Sequence, residues 1–151
     1  MIIAVGLYQG FTALDATGPY EVLTYLPDAE MVIPHTEWTT SVCTGALLLG
    51  AAGLLNGLPA TTHWSAYDAL ASYGAQPTEQ RVVTAGRIMT GAGVSAGINV
   101  ALTLAAKISG PEVAQCIQLA IEYDPHPPFD AGSPSKAPKP IYDMAVAALG
   151  D

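Results

Sequence analysis

The segment from residue 39 to residue 55 passes from a strand pattern to a helix pattern almost without a linker. Residues 39–42 are a short β-branched run, and residues 46–55 are an apolar helical stretch that we expect Asn56 and Gly57 to end. Cys43 stands on the bend between the two. This turn would expose a side chain at the carboxyl edge of the sheet, where open α/β folds bind ligands.

The rest of the chain also alternates between strand and helix patterns. Strands are predicted at residues 1–8, 60–63, 81–84 and 87–90, and helices at 14–26, 65–73, 96–108, 111–123 and 141–149. This alternation predicts an α/β fold with a doubly wound, mostly parallel sheet flanked by helices. The chain has 151 residues, half of them apolar, so we expect a single domain spanning residues 1–151.

Charge and hydropathy exclude several classes of partner. The net charge is −8, from 5 basic and 13 acidic residues, which argues against nucleic acid. The longest run of apolar residues and glycine, residues 45–55, is shorter than the roughly 20 residues of a membrane span, so no membrane partner is expected. Residues 1–8 lack a basic signal-peptide region, and the chain has two cysteines. Both features favour a cytoplasmic protein with reduced thiols.

Cys43 is the candidate nucleophile. The amino-terminal end of the following helix favours negative charge, so we expect the pKa of the thiol to fall. Gly45 is small enough to allow the close approach that such an elbow requires. The alternative is a buried structural cysteine at the end of a strand.

Asp15 is the candidate partner of this thiol. Thr12 opens the first predicted helix and Asp15 lies in its first turn, so its side chain projects from the same sheet edge as Cys43. A carboxyl group beside a thiolate is held partly protonated, because adjacent anions repel and burial disfavours charge, and it can serve as general acid and base. Asp15 could equally be an ordinary helix cap. The residues alone leave both interpretations open.

Two further polar residues lie near the predicted elbow. The hydroxyl group of Thr44 could hydrogen-bond Asp15 or an intermediate, or could only cap the helix. His63 lies 20 residues after Cys43, at the end of the next predicted strand. Its imidazole could supply positive charge or a hydrogen bond to the thiolate, or could be a structural residue.

Residues 93–97 match G-x-S-x-G, the serine-hydrolase elbow, around Ser95. Such hydrolases need a later acid and histidine, and the only later histidine, His126, lies in a proline-rich loop, so we interpret these glycines as allowing tight strand–helix packing. Cys116 shares a predicted apolar helix face with Ile117, which predicts a core position. No His, Cys and carboxylate cluster has metal-ligand spacing, so neither a metal nor a cofactor is expected.

Several motifs resemble the ThiJ/PfpI superfamily of class I glutamine amidotransferase-like, flavodoxin-like folds, and within it the isocyanide (isonitrile) hydratase branch. They are GFTALDATGPYEVL, WTTSVCTGALLLGAAGLL, ATTHW, GAGVSAGIN and IEYDPHPPFDAGSP. The resemblance implies that Asp15 hydrogen-bonds the sulfur of Cys43 and that His63 approaches the nucleophile. Thr44 stands where many relatives have a histidine base, as in isocyanide hydratases, which argues against a peptidase.

The resemblance implies a cysteine-dependent hydratase that adds water to a small apolar isocyanide and forms an N-substituted formamide, in a homodimer. Two alternatives remain open. One is another cysteine activity of the superfamily, glyoxalase-like or deglycase-like. The other is a sensor, either one that oxidises Cys43 to a sulfenate or the non-catalytic domain that precedes a helix-turn-helix in some regulators. The acidic chain, which ends at Asp151 without such a domain, makes the regulator less favoured.

Relatives carry several dozen more residues between the first helix and the strand before the cysteine. In this sequence Glu30 is followed directly by Met31. Either the protein lacks the segment, or residues are missing from the sequence at this junction. We favour the second explanation, because loss of central strands would expose unpaired sheet edges.

Overall fold

The computed structural model describes residues 12–26 and 37–149, apart from the side chain of residue 24. Its helices are α1 (Ala13–Thr24), α2 (Gly45–Ala51), α3 (Tyr67–Ser72), α4 (Ala96–Ser109), α5 (Pro111–Ala120) and α6 (Lys139–Leu149). Its strands are β1 (Thr39–Val42), β2 (Pro59–Ala60), β3 (Gln76–Pro77), β4 (Val82–Ala85) and β5 (Ile88–Gly91). The strand predicted at residues 1–8 and the junction at residues 30 and 31 lie outside the described residues.

The described strands form a mixed sheet in the order β1-β5-β4 and a two-stranded parallel sheet, β2-β3. β1 and β5 are parallel, with Thr39 opposite Ile88 and Val42 opposite Gly91. β4 and β5 form the predicted antiparallel hairpin. The α/β prediction is therefore confirmed. Because β1 and β5 run in the same direction, the turns that follow them lie side by side at one edge of the sheet.

Helices cover both faces of this sheet. Met89 belongs to a core cluster with α1, α4 and α5, whereas its neighbour Ile88 packs against a second cluster that includes Ala46 of α2 and Leu70 of α3. Successive side chains of a strand point to opposite faces, so the two clusters lie on opposite sides of the sheet. No helix within residues 12–26 and 37–149 is long and apolar enough to cross a membrane.

Helix α2 and strand β2 both end earlier than predicted. α2 ends at Ala51 rather than at residue 55, because Gly53 adopts a left-handed conformation (φ 76°) that stops the helix earlier. The strand predicted at residues 60–63 ends at Ala60. Beyond it, the N–H of Thr61 donates to the Thr90 hydroxyl (2.9 Å), so side-chain hydrogen bonds replace the strand ladder there.

The prediction that Cys116 is a core residue is wrong: its thiol is free and exposed on α5. The buried residues of this helix are Ala114 and Ile117, with Val113 and Ile121 packed beside them. Cys116 lies about 100° around the helix from Ile117, outside the stripe that faces the core.

Candidate functional site

Cys43 occupies a strained bend between β1 and α2. Its φ is 57°, a left-handed conformation that is rare for a residue with a side chain. Such a conformation costs about 1–3 kcal/mol and persists only where the surroundings hold it. Here the Cys43 N–H donates to the carbonyl oxygens of Gly91 (3.1 Å) and Ala92 (2.9 Å), at the end of β5. The neighbouring strand therefore fixes the bend that presents the thiol.

Cys43 is only 7% exposed, and its sulfur lies among hydrogen-bond donors. Within the described part of the chain, the sulfur accepts hydrogen bonds from three groups. They are the backbone N–H of Thr44, the backbone N–H of Val94 and the hydroxyl group of Thr44. Burial nevertheless raises the pKa of the thiol, and the charge of Asp15 raises it further against these donors. The prediction that the helix terminus lowers this pKa is wrong in direction, because burial outweighs the donors and α2 has only seven residues.

Asp15 lies in the first turn of α1, as predicted, and its charge acts on both Cys43 and His63. Its N–H donates to the carbonyl oxygen of Thr12 (2.9 Å). One carboxyl oxygen, Oδ1, is buried without a hydrogen-bond partner among the described residues. Burial raises the pKa of Asp15, and His63 partly opposes this. A carboxyl group in these surroundings is suited to holding and releasing a proton.

Thr62, the residue before His63, holds His63 beside the turn that contains Cys43. The hydroxyl group of Thr62 donates to the carbonyl oxygen of Cys43 (2.8 Å). The imidazole ring lies over Gly93, where a Cβ atom would come within 2.9 Å of the ring carbon Cδ2. Burial lowers the pKa of His63, whereas Asp15 raises it. The structure thus brings Cys43, Asp15 and His63 together.

Gly45 does not have the steric role predicted for it. A Cβ atom at this position would lie 3.6 Å from the Cβ of Ser41, which is ordinary van der Waals contact. Gly93 is a glycine near the site that has no room for a side chain, because the imidazole of His63 occupies that space. The left-handed backbone of Cys43 forms the elbow, and the hydrogen bonds of its N–H to Gly91 and Ala92 hold it.

Gly97 of the G-x-S-x-G motif allows close packing between two helices, not the strand–helix packing that was predicted for these glycines. A Cβ atom at Gly97 would lie 3.0 Å from Pro19 of α1. Ser95 is exposed, and its hydroxyl oxygen accepts a hydrogen bond from Arg81 Nη2 (2.9 Å). His126, the candidate histidine partner, is exposed and its Nδ1 contacts the carbonyl oxygen of Asp124 (3.0 Å).

Two contributors to the site were missed by the sequence analysis, namely the Val94 N–H and the Thr62 hydroxyl. The parallel pairing of β1 with β5 was the missing information, because it places the turn that contains Val94 beside Cys43. A backbone N–H has no signature in residue type. Thr62 could have been singled out as a polar residue in the motif ATTHW, next to His63.

Two clefts are lined by sequence neighbours of Asp15 and His63, and neither is lined by Cys43. One of about 260 Å³ lies among α1, α4 and the end of α5, with Leu14, Ile98 and Tyr123 in its wall. The other, of about 130 Å³, lies between Trp64 and α6. The Trp64 ring is adjacent to that of His63 (centroids 5.2 Å apart) and to that of Tyr142 (5.5 Å). The described residues contain no group of three or more His, Cys, Asp or Glu side chains that could hold a metal ion.

Cys43 lies on a strained strand-to-helix bend of this α/β protein, and the carboxyl group of Asp15 from α1 acts on its sulfur. The chain belongs to the DJ-1/PfpI family, whose model matches residues 29–107. The crystal structure of a THiJ/PfpI family protein from Pseudomonas syringae superposes with a TM-score of 0.92, at 32% sequence identity, covering 99% of this chain and 86% of that one.

Two curated relatives have different printed functions. The isonitrile hydratase of Pseudomonas putida is 55% identical over 111 residues, which cover 74% of this chain and 49% of the relative. The HTH-type transcriptional regulator CdhR of Pseudomonas aeruginosa is 40% identical over 73 residues, covering 47% of this chain and 22% of the regulator. The chain therefore spans about half the length of the hydratase that it matches, and it is a homologue of that enzyme.

Proposed function

We propose that this protein is a cysteine-dependent isocyanide hydratase, which converts R–N≡C and water to R–NH–CHO. The observation that carries the proposal is the surroundings of Cys43: a strained bend, two backbone N–H groups at the sulfur, and a carboxyl group beside it. The 55% identity to an isonitrile hydratase supports the choice of substrate.

In the first proposed step, the sulfur of Cys43 bonds to the terminal carbon of the isocyanide. We propose that Cys43 and Asp15 hold one proton between them in the reactive state. Burial and the charge of Asp15 raise the pKa of the thiol, and burial raises the pKa of Asp15. Asp15 takes the thiol proton as the sulfur attacks and delivers it to the same carbon. The product is a thioimidate, R–N=CH–S–Cys43. The N–H groups of Thr44 and Val94 stabilise the negative charge that the sulfur carries before the bond forms.

In the second step, water adds to the thioimidate carbon and the carbon–sulfur bond breaks. Asp15, now a carboxylate, accepts a proton from the attacking water. The nitrogen gains one proton, the carbon keeps the hydrogen from the first step, and the thiol re-forms. The balance is one isocyanide and one water consumed for each formamide released, so the reaction needs no cofactor and no metal.

The substrate that we propose is small and apolar. The cleft of about 130 Å³ beside Trp64 offers aromatic surface from Trp64 and Tyr142 for the R group. We also propose a homodimer, supported by large apolar side chains that are exposed in the single chain, including Leu119 (82%) and Phe129 (79%). The chemistry requires a reduced thiol, which a cytoplasmic location would maintain.

A second candidate function is a ligand-sensing domain, favoured by the 40% identity to the regulator CdhR. In that case the protein would bind a small molecule near Cys43 without turning it over. Another cysteine activity of the same family would instead show turnover with a different electrophile, such as a dicarbonyl.

The test is formamide production from a simple isocyanide by the full chain and by its Cys43→Ala and Asp15→Asn variants. We expect turnover by the unsubstituted protein, none above background for Cys43→Ala, and a loss of about a hundredfold or more for Asp15→Asn. Circular dichroism would show that each variant is folded. A folded, reduced protein with no turnover would exclude the hydratase. Full activity in Cys43→Ala would exclude the mechanism.

A further inference from the structure

The hydrogen bonds of the His63 ring reveal which of its nitrogens carries the hydrogen. The backbone N–H of Ser65 donates to His63 Nδ1 (3.4 Å), and the Ser65 hydroxyl oxygen lies 2.8 Å from the same nitrogen. A backbone N–H can only donate, so Nδ1 accepts and carries no hydrogen. The hydroxyl group must then donate to Nδ1 as well. In a neutral imidazole the hydrogen is therefore on Nε2.

The opposite edge of this ring, with Cδ2 and Nε2, lies against Gly93 in the turn that contacts the sulfur of Cys43. The ring lies over Gly93, the residue before Val94, whose N–H hydrogen-bonds the sulfur of Cys43. The charged group that acts on His63 from the neighbouring elements of the described chain is Asp15 on α1. Burial favours the uncharged ring, so His63 meets the Asp15 and Cys43 pair as a neutral imidazole.

We propose that Ser65 is a positioning residue that holds His63 as the neutral tautomer with its hydrogen on Nε2, making His63 a hydrogen-bond donor to the Asp15 and Cys43 site rather than a base. This inference rests on the proposed function for its catalytic consequence. A donor stabilises negative charge on Asp15 or on the sulfur during attack. The opposite tautomer would present a lone pair to those charges and would repel them.

The direct test is the protonation state of the two His63 ring nitrogens, measured from ¹⁵N chemical shifts in the full chain labelled with ¹⁵N-histidine. The chain has three histidines, and His63→Gln identifies the signals. We expect an unprotonated Nδ1 and a protonated Nε2. In Ser65→Ala and Ser65→Thr the backbone N–H still donates to Nδ1, so we expect the original shifts. Ser65→Pro removes this N–H, and in that variant we expect averaged shifts.

Ser72→Ala is the matched control, since the hydroxyl of Ser72 donates to the carbonyl oxygen of Ala69 (2.7 Å) within α3. It should leave the His63 shifts unchanged. A hydrogen on Nδ1 in the unsubstituted protein, or unchanged shifts in Ser65→Pro, would overturn the proposal.

Formamide turnover measures the consequence for catalysis. We expect kcat to fall about fivefold in Ser65→Pro, the effect of one hydrogen bond, and to be kept in Ser65→Thr. Unchanged turnover in Ser65→Pro would overturn the catalytic part of the proposal. An unsubstituted protein with no isocyanide turnover would refute the proposed function, whereas the ring shifts would still decide whether Ser65 holds the tautomer.

Discussion

Two turns of this molecule have the same local plan and different chemistry. Cys43 follows β1 and Ser95 follows β5, the strands are parallel neighbours, and each turn leads directly into a helix. Cys43 has a left-handed backbone (φ 57°) and a buried thiol. Ser95 has an ordinary right-handed backbone (φ −70°) and an exposed hydroxyl bound to Arg81. A strand–turn–helix plan therefore does not by itself make a nucleophile.

What separates the two turns is the set of groups around each side chain. Asp15 and the N–H groups of Thr44 and Val94 act on the sulfur of Cys43. Val94 itself belongs to the second turn. The second turn thus donates a hydrogen bond to the sulfur in the first turn, and its Gly93 leaves room for the ring of His63. The two turns therefore form one site with a single proposed nucleophile.

The largest expected effect comes from placing a hydroxyl group at the first turn. Cys43→Ser should lower kcat/KM by about a thousandfold or more, because the hydroxyl is far less acidic than the thiol and the carboxylate of Asp15 is too weak a base to activate it. Formamide release from a simple isocyanide measures this, with thermal unfolding as the check on folding. Activity within tenfold of the unsubstituted protein would show that the identity of the side chain matters less than the turn.

The pH dependence tests whether Cys43 and Asp15 share a proton. Below the raised pKa of Asp15 both groups are protonated, and no base takes the thiol proton. Above the raised pKa of Cys43 both are deprotonated, and no proton is available for the carbon. The plot of kcat/KM should therefore be bell-shaped, with its acidic limb above the ordinary carboxyl range.

Asp15→Asn is the control for that profile. It should remove the acidic limb along with most of the activity. An unchanged acidic limb in this variant would assign it to a different group, with His63 the nearest candidate.

Two glycine substitutions test how the second turn supports the first. In Gly93→Ala the new Cβ would lie 2.9 Å from His63 Cδ2, so the ring must move, and we expect turnover to fall about tenfold. In Gly45→Ala the new Cβ makes an ordinary contact at 3.6 Å, so turnover should stay within about twofold. Steady-state kinetics on both variants measure these two losses of turnover. Equal losses would mean that Gly45 is required at the elbow after all.

A stability comparison isolates the backbone strain at Cys43. Cys43→Gly should be more stable than Cys43→Ala by about 1 kcal/mol, because glycine adopts a left-handed conformation without strain. The same pair at Ser95, where φ is −70°, should show no such gain. Urea unfolding of the four variants gives the differences. A similar gain at both positions would indicate that the Cys43 turn is not strained.

The sequence predicted the fold and the residues of the first turn better than it predicted their electrostatics. Local patterns were sufficient for the β4–β5 hairpin and for Cys43 between strand and helix. The direction of the Cys43 pKa required the depth of burial, which depends on packing between distant elements. Cys116 was wrongly predicted to be buried, because helical spacing alone does not show which face of α5 packs against the core. The buried face is centred on Ala114 and Ile117. The Val94 N–H required the parallel pairing of β1 with β5, which no local pattern encodes.

The smallest expected effect is at the second turn itself. Ser95→Ala should leave formamide turnover within about twofold of the unsubstituted protein, because the hydroxyl is exposed and is engaged by Arg81. Arg81 keeps its second partner, Asn99 Oδ1 (2.8 Å), so the loss of stability should be about 0.5 kcal/mol. Steady-state kinetics of Ser95→Ala, compared with those of Cys43→Ala, give the change in turnover, and urea unfolding gives the change in stability. If Ser95→Ala abolished turnover while Cys43→Ala did not, the nucleophile would belong to the second turn, and the strained bend at Cys43 would need a different explanation.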